Sequence, residues 1–201
     1  MIEIKNASKT IKDSTVLSNI DLKLIEGEVV LLRGHNGCGK TMLLRLIAGF
    51  ITPTTGEITG NNSYSYGVII ENPNFFLNQT AYYNLKYLAD INKKISDSEI
   101  EYYLDKLHLF DVKDKRVSTF SLGMKQRLAL CQAFMEDPDV LLLDEPFNAI
   151  DDDNLEIVLE LINEAKNKGK IIVIASHGEV NYEFDKIIKM SNGRILAGLP
   201  E

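Results

Sequence analysis

Gly34-His35-Asn36-Gly37-Cys38-Gly39-Lys40-Thr41 is the stretch on which the reading of this chain turns. It fits G-x-x-x-x-G-K-[ST]. An apolar run at residues 29–33 precedes it, and residues 40–48 follow with helical spacing (Leu43, Leu44, Ile47) that stops before Gly49. In that strand–loop–helix context, glycines let backbone N–H groups converge on phosphate oxygens, and the helix presents its positive dipole end. Lys40 is then expected to reach the β- and γ-phosphates and the Thr41 hydroxyl to ligate magnesium, with His35, Asn36, Cys38 and Met42 completing the contact surface. The bland alternative, a glycine turn with an exposed lysine, leaves the flanking strand and helix without a purpose. Cys38 carries two readings, a reactive thiol inside the cradle or a small neutral residue.

Working outward, the 201 residues are 45% hydrophobic and 25% charged, the composition of one globular unit with room for a sizeable core. No run approaches the roughly 18 to 20 apolar residues a membrane helix needs, and residues 1–5 lack the pattern of a signal peptide. A cytoplasmic location is therefore expected. A net charge of −7 without a long basic run argues against a nucleic-acid partner. Two cysteines, Cys38 and Cys131, are too few for a disulfide framework and fit a reducing compartment.

Short β-like runs are expected at residues 2–5, 20–24 and 29–33, with a further strand at 66–70. Pro53 and Gly56 read as a turn, and Asn72-Pro73 as a chain break. From 80 to 135 the pattern turns helical, with Ser96 and Glu99 as a capping box and a helix at 123–135. Strand, helix and strand return at 140–143, 154–168 and 171–175, the signature of buried parallel strands with a crossover helix.

The run Val140-Leu141-Leu142-Leu143-Asp144-Glu145-Pro146 delivers two acids at the carboxyl end of a buried strand, where open parallel sheets place ligands. Alone, it reads as a solvated turn. Beside the glycine loop, Asp144 is expected to hold magnesium and Glu145 to act as the base that deprotonates the attacking water.

Ser121-Leu122-Gly123-Met124-Lys125-Gln126-Arg127, about 20 residues before Asp144, resembles the ABC ATPase signature usually written LSGGQ. In isolation it is an ordinary capped helix start. The resemblance implies that Ser121 and Gly123 bind the γ-phosphate of a nucleotide held by a partner subunit, so that two ATP molecules are sandwiched in a head-to-tail homodimer or heterodimer. Asn148-Ala149-Ile150-Asp151 resembles the family's D-loop, Ser176-His177 its switch histidine, and Glu71 stands where a glutamine usually sits and would join Thr41 and Asp144 around the metal. The resemblance covers nearly the whole chain. It implies an α/β fold: a P-loop NTPase core (1–71 and 136–201) with an ABC-type antiparallel β subdomain and a helical signature subdomain inserted at about 72–135, all in one ATPase domain.

Two positions depart from the family pattern. Ile11 occupies the place of an aromatic that stacks on adenine, with Val16 as apolar support, which leaves base selectivity open. Glu71 is an anion in place of a neutral ligand. Its acidity, the segment 66–88 and the Gly-Met-Lys-Gln-Arg signature look like the bacitracin and lantibiotic exporter branch. The expected activity is thus ATP hydrolysis coupled to a transmembrane permease, with the chain peripheral on the inner membrane face and an amphiphilic substrate exported. A non-transport ABC ATPase acting on a ribosome, DNA or a soluble assembly complex is the alternative.

Overall fold

The computed structural model describes residues 1–71, 74–178 and 180–196. Its centre is a sheet of strands whose sequences leave no polar face. The strands β3 (Val29–Arg33), β6 (Val140–Asp144) and β7 (Ile171–Ser176) are apolar at nearly every position, and nearly all their side chains are buried. Only a sheet covered on both sides accepts such runs, and these strands pair in parallel. With β5 (Tyr66–Ile69), β8 (Lys186–Ser191) and β9 (Arg194–Ile195) the order is β5-β6-β7-β3-β8-β9, and only β9 runs antiparallel to its neighbour.

Alternate side chains feed two cores. Leu31, Leu141, Leu143, Ile172 and Ile174 face one. Leu32, Leu142, Val173 and Ala175 face the other, where they meet a second sheet and the helix α1 (Lys40–Ile47). Each leucine, isoleucine or valine so removed from water contributes about 1.5–3 kcal/mol. The second sheet has the order β2-β1-β4 and is antiparallel, built from β1 (Ile2–Ile11), β2 (Ser14–Leu24) and β4 (Thr55–Thr59). β1 and β2 run well beyond the predicted 2–5 and 20–24. Register shifts at the left-handed residues Asn6 (φ 46) and Asn19 (φ 49) break the alternation that marks a strand in sequence. β4 replaces the turn expected around Gly56, and its side chains are almost all exposed, which is why no hydrophobic pattern announces it.

Between β5 and β6 lie α2 (Ala81–Asn92), α3 (Asp97–Lys106) and α4 (Leu122–Phe134). The expected break at residues 72–73, and the start of the expected insert with it, lie outside the described residues. Ser96 and Glu99 form the capping box reciprocally, and Thr80 and Ser121 cap α2 and α4 by accepting the N–H groups of Tyr83 and Met124. A last helix, α5 (Asp152–Asn167), starts at the cap Asp151 and packs on the first core. No described helix is long and apolar enough to cross a membrane.

α4 rests on the sheet through a glycine. A Cβ at Gly67 of β5 would lie 2.0 Å from the Ala133 carbonyl oxygen and 2.7 Å from Pro138 Cγ. The shortest approach is to backbone, which cannot give way as a flexible side chain would. Gly67→Ala is expected to cost about 1–3 kcal/mol of stability, read as a lower urea midpoint at unchanged m-value. An unchanged midpoint would show that α4 is not seated on β5 in this way.

Candidate functional site

The parallel register sets the site. Asp144 pairs with Ala175, which pairs on its other side with Leu32, while Arg33 pairs with Ser176. The chain therefore leaves three neighbouring strands at one level, delivering Gly34, Glu145 and His177 to the same end of the sheet.

The loop from Gly34 to Gly39 is shaped by positions only glycine tolerates. Gly37 and Gly39 have φ of 80 and 110, and a Cβ on Gly34 would lie 2.4 Å from the Met190 carbonyl oxygen. Lys40 is buried, and its Nζ donates to the carbonyls of Gly34 (2.7 Å) and His35 (3.4 Å), so the ammonium lies inside the loop. Thr41 Oγ1 donates to Asp144 Oδ2 at 2.6 Å. Burial raises the Asp144 carboxyl above its ordinary value. The Thr41 hydroxyl opposes the rise, the charge of Glu145 adds to it, and Lys40 and the Glu71 backbone oppose it in turn.

Glu145 adopts φ 50, a region costly for a residue with a Cβ. Its carboxylate accepts from His177 Nδ1 at 2.7 Å and lies 3.5 Å from Ser176 Oγ and 4.0 Å from Lys40 Nζ. Lys40, Thr41, Asp144 and Glu145 thus face one cavity of about 490 Å³, together with Asn36, Gly37, Gly39, Met42 and Val16. That volume lies within the range of small-ligand sites.

Other expected residues lie elsewhere. Ile11 is exposed at the end of β1 and does not line the cavity. His35 is exposed, its ring donating to the Asn36 carbonyl at 2.9 Å. Cys38 is 1% exposed and packs in the second core, so the loop contributes its backbone and not its thiol. Glu71 turns its carboxylate to Arg45 Nη2 at 2.8 Å and lines an adjoining cleft of about 370 Å³ with Leu122, Gln126 and Asn148, which shares Asp144 and Glu145 with the cavity. Ser121 and Gly123 open α4 away from the cavity. A Cβ on Gly123 would lie 2.5 Å from the Ala149 carbonyl oxygen, so the two motif-bearing segments touch.

Ser14, Thr15, Asn192 and Gly193 also line the cavity and belong to none of the sequence motifs. Asn192-Gly193 had a signal: an Asn-Gly pair between apolar runs is a hairpin turn, and both residues have the positive φ that turn needs (48 and 72). Its place beside the glycine loop is set by tertiary bonds, Gly193 N–H to the Cys38 carbonyl and Ser18 N–H to the Gly193 carbonyl, both 2.8 Å.

The donor set fits the ligands the loop implies. Glycine backbone and a buried ammonium suit a triphosphate, and a hydroxyl beside a carboxylate offers the hard oxygens magnesium takes alongside phosphate oxygens. A glycine loop after β3, two acids at the end of the next strand but one in the sheet and a capped signature helix between them in sequence define a phosphate-loop ATPase of the ABC class. The chain belongs to the ABC transporter family, whose sequence profile matches residues 17–148.

An uncharacterized ABC transporter ATP-binding protein of Bacillus subtilis is 42% identical over 206 residues, covering 97% of this chain and 94% of the relative. A lantibiotic transport ATP-binding protein of Streptococcus pyogenes is 33% identical over 205 residues, covering 98% and 89%. A solved structure of an ATP binding subunit of an ABC transporter superposes with a TM-score of 0.87 at 29% identity, covering 98% of this chain and 88% of that one.

The burial of both sulfurs has a direct readout. Cys38 is 1% and Cys131 0% exposed, and burial pushes the Cys131 thiol up. The native, nucleotide-free protein should react with a chromogenic thiol reagent at neither position and at both after denaturation. Rapid native labelling of Cys38 would restore the reactive reading.

Proposed function

We propose that this chain is the ATP-hydrolysing subunit of a membrane exporter and works as a dimer that closes on two nucleotides. The observation that carries the reading is the convergence of Lys40, the Thr41–Asp144 pair and Glu145 on one cavity. ATP binds with its phosphates in the loop of residues 34–41, Lys40 holding the β- and γ-phosphates. Thr41 and Asp144 hold magnesium, which when bound supplies positive charge to the phosphate oxygens. Glu145 takes a proton from the attacking water, and His177 orients that carboxylate. Val16 and Met42 supply apolar contact in the cavity, while Ile11 and Glu71 act from its surroundings.

Ser121 and Gly123 serve the nucleotide of the partner subunit. Neither residue lines its own chain's cavity, which supports this role, and so does the helix N-terminus they open, with its positive dipole end. The segment 72–135 docks the permease. Phe76, Tyr83, Tyr87 and Ile91 are all exposed there, the three rings mutually within 5.1–6.3 Å, an apolar ladder suited to an apolar segment of that partner. The chain is then held at the cytoplasmic membrane face, and the lantibiotic-transport relative supports an amphiphilic peptide as cargo.

Glu145→Gln should retain ATP binding and lower kcat by about 10²- to 10⁴-fold, and the ATP-bound variant should elute as a dimer in gel filtration. Undiminished turnover removes Glu145 from its role. The partner is tested by affinity capture of the tagged chain from gently solubilised native membranes with ATP present. A multi-span membrane protein is expected, whereas ribosomes, DNA or a soluble assembly complex would keep the ATPase and replace its purpose.

A further inference from the structure

We propose that Gln126 is a positioning residue through which the start of α4 sets the backbone of the catalytic glutamate, linking the partner's nucleotide to the chain's own site. The inference rests on Glu145 as the base and on Ser121 as a ligand for the partner's ATP.

The backbone at Glu145 is held against its preference at φ 50. Its N–H is fixed by donation to the Ala175 carbonyl at 2.8 Å, and its carboxylate by His177. On the other side of the residue the chain has no donor to offer, because the next residue is Pro146. What remains are two successive carbonyls, and the Gln126 amide Nε2 reaches both, at 3.3 Å for Glu145 and 3.1 Å for Pro146. A glutamine amide carries two hydrogens, enough for one per carbonyl. Asn148 N–H also donates to the Glu145 carbonyl at 3.2 Å, but it moves with the same loop. Gln126 is the contact from outside.

Gln126 does not act from a loose surface. Gly123, one turn earlier on the same face of α4, lies so close to the Ala149 carbonyl that no Cβ fits, and Ala149 is itself left-handed at φ 59. The loop 145–151 therefore meets α4 at two points a turn apart. The next residue, Arg127, anchors α4 further, donating to the carbonyls of Leu107 (2.9 Å) and His108 (3.1 Å) and to Asn154 Oδ1 (3.3 Å). The helix start that carries exposed Ser121 is thus in direct register with the Glu145 backbone, and a small displacement of α4 shifts the carboxylate relative to the cavity. Misplacement of a reacting group by about 1 Å is enough to cost roughly 100-fold in rate.

Gln126→Met keeps the length and removes the donor, and Gln126→Glu keeps the shape and sets an anion against two carbonyls. Both should lower kcat by about 10- to 100-fold while binding of a fluorescent ATP analogue stays within about twofold of the parent. The urea midpoint of each is measured alongside, so that kcat and affinity are compared on folded protein. A structural role alone would not separate kcat from affinity.

The link across subunits is read from a double-mutant cycle of Gln126→Met with Ser121→Ala. The combined loss in kcat should fall short of the product of the two single losses. Parental turnover in Gln126→Met, or losses that multiply without interaction, overturns the inference. Glu145→Gln in the same assay separates the two failures: if that variant still hydrolyses ATP the functional reading falls, and if it is inactive while Gln126→Met is not, only the role of Gln126 does.

Discussion

The site depends on one constraint, the in-register parallel pairing of β3, β7 and β6. Because Leu32 and Asp144 both pair with Ala175, the three strands end level. A slip of one residue in any of them would turn its apolar set to the other face and withdraw Asp144 from Thr41. The two buried cores hold that register from both sides, so the hydrophobic packing that stabilises the protein also fixes the 2.6 Å contact between the glycine-loop helix and the acidic strand.

Around this rigid level the chain stores strain in particular places. Glu71, Glu145 and Ala149 all have a Cβ and all take positive φ, and each lies in a segment leaving β5 or β6 at the site end of the sheet. β5 and β6 themselves do not share this property. Arg45, one turn beyond Thr41 on α1, joins the Glu71 segment to the loop helix at 2.8 Å, although a pair this exposed contributes less than about 1 kcal/mol.

The central strands and the helices were legible in the sequence because each has a local signal: unbroken apolar runs for β3, β6 and β7, and a capping box for α3. β4 has no such signal, since in an edge strand of threonine, glycine and glutamate only Ile58 packs on a core, and one apolar residue makes no pattern. The bulges at Asn6 and Asn19 hid the length of β1 and β2 in the same way. The residues facing the cavity from the loop and from β6 follow from motifs contiguous in sequence. Ser14, Thr15 and Asn192 do not, because they reach it only once two sheets have packed. The Glu71–Arg45 pair and the Gln126 bonds are likewise products of tertiary approach. For Cys38 the sequence left the thiol open, and only packing under the loop decides that it faces inward.

The turn at Asn192-Gly193 stitches three pieces of chain at one point, with the Gly193 N–H on the glycine loop and its carbonyl on β2. A Cβ there would lie 2.5 Å from the Val16 carbonyl oxygen, at a backbone angle that already disfavours one. The glycine loop is therefore encoded in two distant parts of the gene. A missense change at codon 193 would present as a loss of phosphate-loop function while leaving every residue of the motif intact.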